Sequence, residues 1–158
     1  MLPTDTMAVV VGIEDYQAGK EWRLDGPALD ACRFARWLTT RGVSADRITL
    51  LVSPLPENAK TVEEQSQGYR VRGAADHATV RDVFTRYLPS ETSSLLILYW
   101  GGHGVIEEEE RRLIYADATE DDPRNLNLSS LLKSMRSSKF DRHPQQLGLV
   151  DACLNLVT

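Results

Sequence analysis

Two residues of this 158-residue chain stand where an apolar run gives way to reactive chemistry. One is Cys153, at the end of Leu147 to Cys153 (LGLVDAC); the other is His103, within Ser94 to Val105 (SLLILYWGGHGV). A cysteine is nucleophilic as the thiolate, and a free thiol with a pKa of about 8.5 is mostly protonated at neutral pH. A neighbouring imidazole supplies the base, so a Cys-His pair is a common route to acyl transfer through a thioester. Cys153 follows His103 by 50 positions. Each run reads as a buried strand, which puts both residues at strand carboxyl ends, where open parallel sheets bind ligands. Neighbouring strands lie about 4.8 Å apart, close enough for adjacent ends to bring thiol and imidazole together. Gly101, Gly102 and Gly104 flank His103 and are expected to leave the backbone open to a peptide substrate. The amides of Gly104 and Cys153 would then stabilise an oxyanion.

The elements that must position this pair follow from the hydrophobic pattern. Residues 7–13 (MAVVVGI) are continuous and β-branched, as in a strand buried on both faces of a parallel sheet. Pro27 to Arg41 carries Ala28, Ala31, Cys32, Ala35 and Leu38 at helical spacing, with Pro27 suited to the first turn and Gly42 to the stop. Ile48 to Val52 reads as a strand, 56–75 as a long polar loop, and Ala78 to Leu88 as an amphipathic helix capped by Asp76 or Thr79. Residues 95–100 form the strand before His103, Glu107 to Arg112 a charged hairpin tip, and Leu113 to Ala116 a short returning strand. Asn127 to Met135 is a helix and Gln146 to Asp151 the last strand. Alternating strands and helices predict an α/β sandwich around a mainly parallel sheet.

Composition narrows the function classes. Lys and Arg number 18 against 23 Asp and Glu, for a net charge of −5. The basic residues are scattered, so neither nucleic acid nor a membrane surface is an expected partner. No stretch reaches the roughly 20 apolar residues of a membrane span. The two cysteines, Cys32 and Cys153, form no disulfide framework, and a reducing, cytoplasmic setting is expected. His77 and His143 read as surface residues; Trp22, Trp37 and Trp100 read as core or pocket walls.

The combination of VVVGI with a following Tyr16, LDGPALDA (Leu24 to Ala31), YWGGHGV and VDAC resembles the caspase-like cysteine peptidases, in their bacterial and metacaspase-like branch. The resemblance runs from about Met7 to Cys153. The spacing characteristic of caspases, an Ala-Cys with its histidine about 50 residues upstream, is matched here. The resemblance implies a caspase-like three-layer sandwich in which His103 shuttles the proton, Cys153 is the acyl-forming nucleophile, and the Gly104 and Cys153 amides hold the oxyanion. It further implies that residues 1–158 are the large-subunit portion of a catalytic domain, with the small-subunit segment supplied as a separate or continuing chain.

Specificity is also implied. Asp-cleaving caspases carry Gln two places before the nucleophile, whereas this chain has Asp151, and metacaspases add a second acid at the place of Asp30. Anions on a pocket floor favour a cationic side chain, so cleavage after Arg or Lys is expected of a protein or peptide substrate. By the same resemblance, control is expected through self-cleavage or through a fused or associated sensor domain, with a role in bacterial cell death or defence. No cofactor is expected; the calcium that some metacaspases need would draw on Asp117, Asp121 and Asp122, without a DxDxDG-like loop. Cys153-Leu154-Asn155-Leu156 departs from the family's Cys-x-Ser-Gly or Cys-x-Gly, which leaves the loop after the nucleophile open. Two other readings stand beside this one: a catalytically idle caspase-like scaffold or interaction module, and a flavodoxin-like nucleotide-binding domain in which GGHG cradles phosphate.

Overall fold

The computed structural model describes residues 1–71 and 73–156. In chain order the elements are β1 (Met7–Ile13), α1 (Pro27–Thr40), β2 (Ile48–Ser53), α2 (Ala59–Gln65), β3 (Arg70–Val71) and α3 (His77–Asp82). A π-helical turn, Val83–Tyr87, carries α3 into α4 (Leu88–Ser90), so the helix predicted over 78–88 is one helical run in three pieces. Then come β4 (Leu95–Gly101), β5 (Gly104–Glu107), β6 (Glu110–Ile114), β7 (Asn125–Asn127), α5 (Leu128–Met135), β8 (Gln145–Asp151) and β9 (Leu154–Leu156).

Five strands form the main sheet in the order β3-β2-β1-β4-β8, every pair parallel. From β1 the chain winds outward to β2 and β3, then returns to lay β4 on the other side of β1. The strand order therefore reverses between β1 and β4, the kind of crevice at which such sheets bind ligands. Every residue of β1 is buried because its two faces serve two different cores. Ala8 and Val10 pack with Ala31, Ala35 and Leu38 of α1, while Met7, Val9 and Val11 pack with Val80, Val83 and Leu88 of the 77–90 helix. Gly12 lets α1 lie directly on the strand: a Cβ there would stand 2.4 Å from the Pro27 carbonyl oxygen and 2.7 Å from the Ala31 Cβ. A second, four-stranded sheet, β7-β6-β5-β9, hangs beyond the carboxyl end of β4.

Several expectations are corrected. The 56–75 segment is not one loop; it holds α2 and the two-residue β3. Only Val62 of α2 is buried, which is why no apolar period announces the helix. The final strand of the main sheet is expected from its sequence to be buried, but β8 is an edge strand, with Leu147, Leu149 and Val150 at 46%, 39% and 44% exposure. His143 is not a surface residue: it is 0% exposed. Its Nε2–H donates to the Leu88 carbonyl at 2.8 Å, and Nδ1 shares a hydrogen bond with the Ser93 hydroxyl at 2.7 Å. Both ring nitrogens are thereby partnered in the interior. Trp37 lies on the surface, stacked on Phe34 and covered by Arg41, and is not core. Of the two proposed caps for the 77–90 helix, Asp76 is used, accepting the Thr79 N–H at 2.7 Å.

Candidate active site

The site is built on the carboxyl ends of β1, β4 and β8. In the main sheet Gly101 of β4 faces Asp151 of β8, and the Gly102 N–H donates to the Asp151 carbonyl at 3.2 Å. In the second sheet Gly104 of β5 faces Leu154 of β9. His103 and Cys153 are the residues between these two pairings, each two positions past the first and one before the second. They stand at one register level on neighbouring segments. Cys153 is a free, exposed cysteine, while His103 is half-buried; Cys32, the other free cysteine, is buried in α1 as expected of a core residue. The tail after Cys153 is a strand through Leu156, which gives the shape of the segment where the family's pattern is not followed. Residues 157–158 lie outside the described residues.

The histidine is held from the loop that follows β1. Its Nε2 lies 2.8 Å from the Trp22 carbonyl oxygen. A carbonyl only accepts, so Nε2 carries a proton, and in the neutral ring the lone pair is on Nδ1. The indole of Trp22 meets the imidazole edge-on at 5.7 Å between centroids, and the Tyr16 ring lies 4.9 Å away on a tilt of 49°. The His103 N–H donates to the Tyr16 hydroxyl oxygen at 2.8 Å. Gly102 is expected from the sequence to leave room for substrate; its missing side chain instead makes room for protein, since a Cβ there would sit 2.7 Å from the Tyr16 oxygen. Gly104 is buried and paired on both sides, with Leu113 and Leu154.

The β1 loop is itself anchored by Glu14, a residue that no motif in the sequence marks. Its carboxylate is 0% exposed and accepts four hydrogen bonds. Oε1 takes the N–H groups of Gly26 (3.1 Å) and Ala28 (3.2 Å), and Oε2 takes the Leu55 N–H (2.9 Å) and Asn58 Nδ2 (3.0 Å). Such donors are what a buried carboxylate needs. Glu14 caps α1 from outside, because Gly26 has no side chain with which to cap it. A signal is present in that gap: a helix start at Gly26-Pro27 without Ser, Thr, Asp or Asn requires an acceptor from elsewhere.

The two expected pocket acids sit around Tyr99. Register places Gly12, Gly101 and Asp151 in one row on the α1 face of the sheet, so the row offers no side chain between α1 and Asp151. The Tyr99 hydroxyl and the Pro27 ring approach the Gly101 position at 3.4 and 3.5 Å and close that slot from below and from the helix side. Burial raises the Tyr99 pKa, and the negative charges of Asp151 and Asp30 push it the same way. Asp151 is exposed; Asp30 is half-exposed and pairs with Arg33 at 2.7 Å. Asp117 and Asp122 both bind Arg124, at 2.9 and 2.7 Å, and Asp117 also accepts the His77 N–H at 2.8 Å. Among the described residues no three His, Cys, Asp or Glu side chains are grouped to hold a metal ion, and no helix is long and apolar enough to cross a membrane.

The mainly parallel sheet flanked by helices defines an α/β domain. The family model of the caspase domain, peptidase C14, matches residues 5–155, and the chain belongs to that family. No curated protein is similar enough to this chain to count as a match.

Proposed function

We propose that the chain is the catalytic, large-subunit portion of a Cys-His endopeptidase that cleaves after Arg or Lys. The observation that carries this reading is the shared register level of Cys153 and His103, with the imidazole proton committed to the Trp22 carbonyl. His103 takes the Cys153 thiol proton on Nδ1, and the thiolate attacks the scissile carbonyl carbon. By the resemblance, the amides of Cys153 and Gly104 bind the resulting oxyanion, the Gly104 amide once the Gly104–Leu154 pairing of the second sheet opens. Collapse breaks the C–N bond, the amine leaves with the proton from His103, and a thioester remains on Cys153. Water, deprotonated by His103, attacks the thioester and releases the carboxylic acid and the thiol.

The P1 preference rests on Asp151 and Asp30, whose charges both act on Tyr99 at the slot left by Gly101, with Asp30 shared with Arg33. Two carboxylates and a phenol offer acceptors to a guanidinium or an ammonium and leave an acidic P1 residue unpaired beside like charge. An acid two places before the nucleophile favours the metacaspase-like branch. The exposed apolar edge of β8 suits the addition of a further strand, which is the place for a small-subunit segment from a separate or continuing chain. A cytoplasmic setting rests on two cysteines that form no disulfide framework. Control by self-cleavage or by a sensor domain, and a role in cell death or defence, rest on the resemblance alone. So does a calcium requirement, for which Asp121 is the acid of the three not engaged with Arg124.

Fluorogenic peptides ending in Arg, Lys or Asp test the reading with wild type and Asp151→Asn. Cleavage after Arg or Lys that falls at least roughly tenfold in Asp151→Asn, as expected for loss of a charged partner, is the predicted result. Cleavage after Asp overturns the pocket and keeps the dyad. Absence of cleavage together with a thiol no more reactive than free cysteine points to the scaffold reading.

A further inference from the structure

We propose that Tyr16 is a positioning residue for His103: its hydroxyl oxygen, by accepting the His103 N–H, fixes where the imidazole stands. The inference rests on the dyad reading above and adds the group that orients it. His103 lies where the chain leaves the main sheet for the second one, and its two main-chain groups are treated differently. Its carbonyl is taken up by the second sheet, accepting the Ile114 N–H at 3.0 Å. Its N–H goes to a side chain, the Tyr16 phenol at 2.8 Å.

Three features make this contact a device rather than incidental packing. First, Tyr16 is buried, so its oxygen is held in place and is not exchanging partners with bulk water. Second, Gly102 is shaped to admit it. The backbone there has φ of +154°, and a Cβ would meet the phenol oxygen at 2.7 Å, so any other residue before His103 would drive the phenol away. Third, the same loop supplies both restraints: Tyr16 holds the main chain while the Trp22 carbonyl holds Nε2–H, and the two aromatic rings leave the imidazole a single slot. A tether on the main chain and another on the far ring nitrogen fix the direction of Nδ1. The loop carrying both is fastened by the four bonds of Glu14 and by Gln17 N–H to the Ala116 carbonyl at 2.9 Å. Orientation of the base is thus set by β1, the strand beside its own.

The test compares wild type, Tyr16→Phe, and 4-fluorophenylalanine at position 16, which refills the phenol oxygen's space with a poor acceptor. Two readouts are taken: kcat and KM on an Arg-ended peptide, and the rate of Cys153 alkylation by iodoacetamide against pH. Misplacement of a catalytic group by a fraction of an ångström costs on the order of 10- to 100-fold in rate. Both substitutions are expected to lower kcat by about that factor with KM nearly unchanged, and to move the alkylation profile to higher pH as the thiolate loses its imidazolium partner. A purely structural role would lower the thermal midpoint and leave the alkylation profile of the folded protein where it is. Unchanged kcat and an unchanged profile in both substituted proteins overturn the proposal. A wild type that neither cleaves peptides nor alkylates faster than free cysteine overturns the dyad reading itself, which is a separate result.

Discussion

His103 and Cys153 occupy one level of two neighbouring strands, bracketed by the Gly101–Asp151 pairing below and the Gly104–Leu154 pairing above. The chain between them folds into β5, β6, β7 and α5 and then returns along the edge of β4 in register. Gly101 at the end of β4, Gly102 just past it and two residues of the β1 loop complete the surroundings, so three adjacent strands of the parallel sheet converge on one edge.

The slot beside Asp151 can be probed through Tyr99, whose pKa is raised by burial and by the charges of Asp151 and Asp30. Replacing either acid by its amide removes a negative charge and should lower the Tyr99 pKa, Asp151→Asn more than Asp30→Asn. Tyrosine ring-carbon NMR across the alkaline range measures this. A Tyr99 titration identical to wild type in both variants would separate the acids from the slot.

Glu14→Gln should destabilise the fold by about 2–4 kcal/mol in denaturant unfolding. The amide keeps one acceptor oxygen for four donors, two of them buried, and unsatisfied buried groups cost about 1–3 kcal/mol each. The loss should exceed that of any single exposed ion pair, such as Arg33–Asp30, at about 0–1 kcal/mol. Equal losses for Glu14→Gln and Asp30→Asn would contradict the anchoring role.

Burial, with Glu14 nearby, pushes the Cys32 thiol up to about 11 from 9.0. The folded state therefore keeps the proton over a range where the unfolded chain has released it. The resulting stability is fully present below pH 9.0 and is lost as pH rises through about 11. Two units set an upper bound of about 2.7 kcal/mol, which solvent screening reduces. Cys32→Ala, measured by urea unfolding at about pH 8 and about pH 10.5, should show a different alkaline response from wild type, with the Cys32 contribution absent. An identical pH dependence in both would place the sensitivity elsewhere, Tyr115 being another buried group whose pKa is raised, to about 12.

Much of this is legible in the sequence, for reasons visible in the structure. β1 reads as doubly buried because it is the middle strand with a core on each face, and α1 shows its period because its five buried apolar residues lie on one side of the helix. The adjacency of the β4 and β8 ends, on which the candidate site depends, follows from two apolar runs ending in reactive residues. Other features leave no mark on residue identity. Trp22 acts through its carbonyl, a group every residue carries. His143 next to Pro144 looks like a turn, yet its partners Ser93 and Leu88 lie 50 and 55 positions upstream and pull the ring inside. An apolar run such as β8 cannot distinguish a central strand from an edge strand, since hydrophobicity reports what could be covered and not what covers it.

Activation of Cys153 by His103 can be read from intact-mass labelling with an Arg-ended peptidyl thiol electrophile. One adduct is expected, mapped to Cys153, forming at least roughly a hundredfold faster than with free cysteine and slowed to near the free rate in His103→Ala. Folding of that variant would be confirmed by an unchanged circular dichroism spectrum. Labelling of Cys153 at the same rate with and without His103, or an adduct on Cys32 instead, would contradict it.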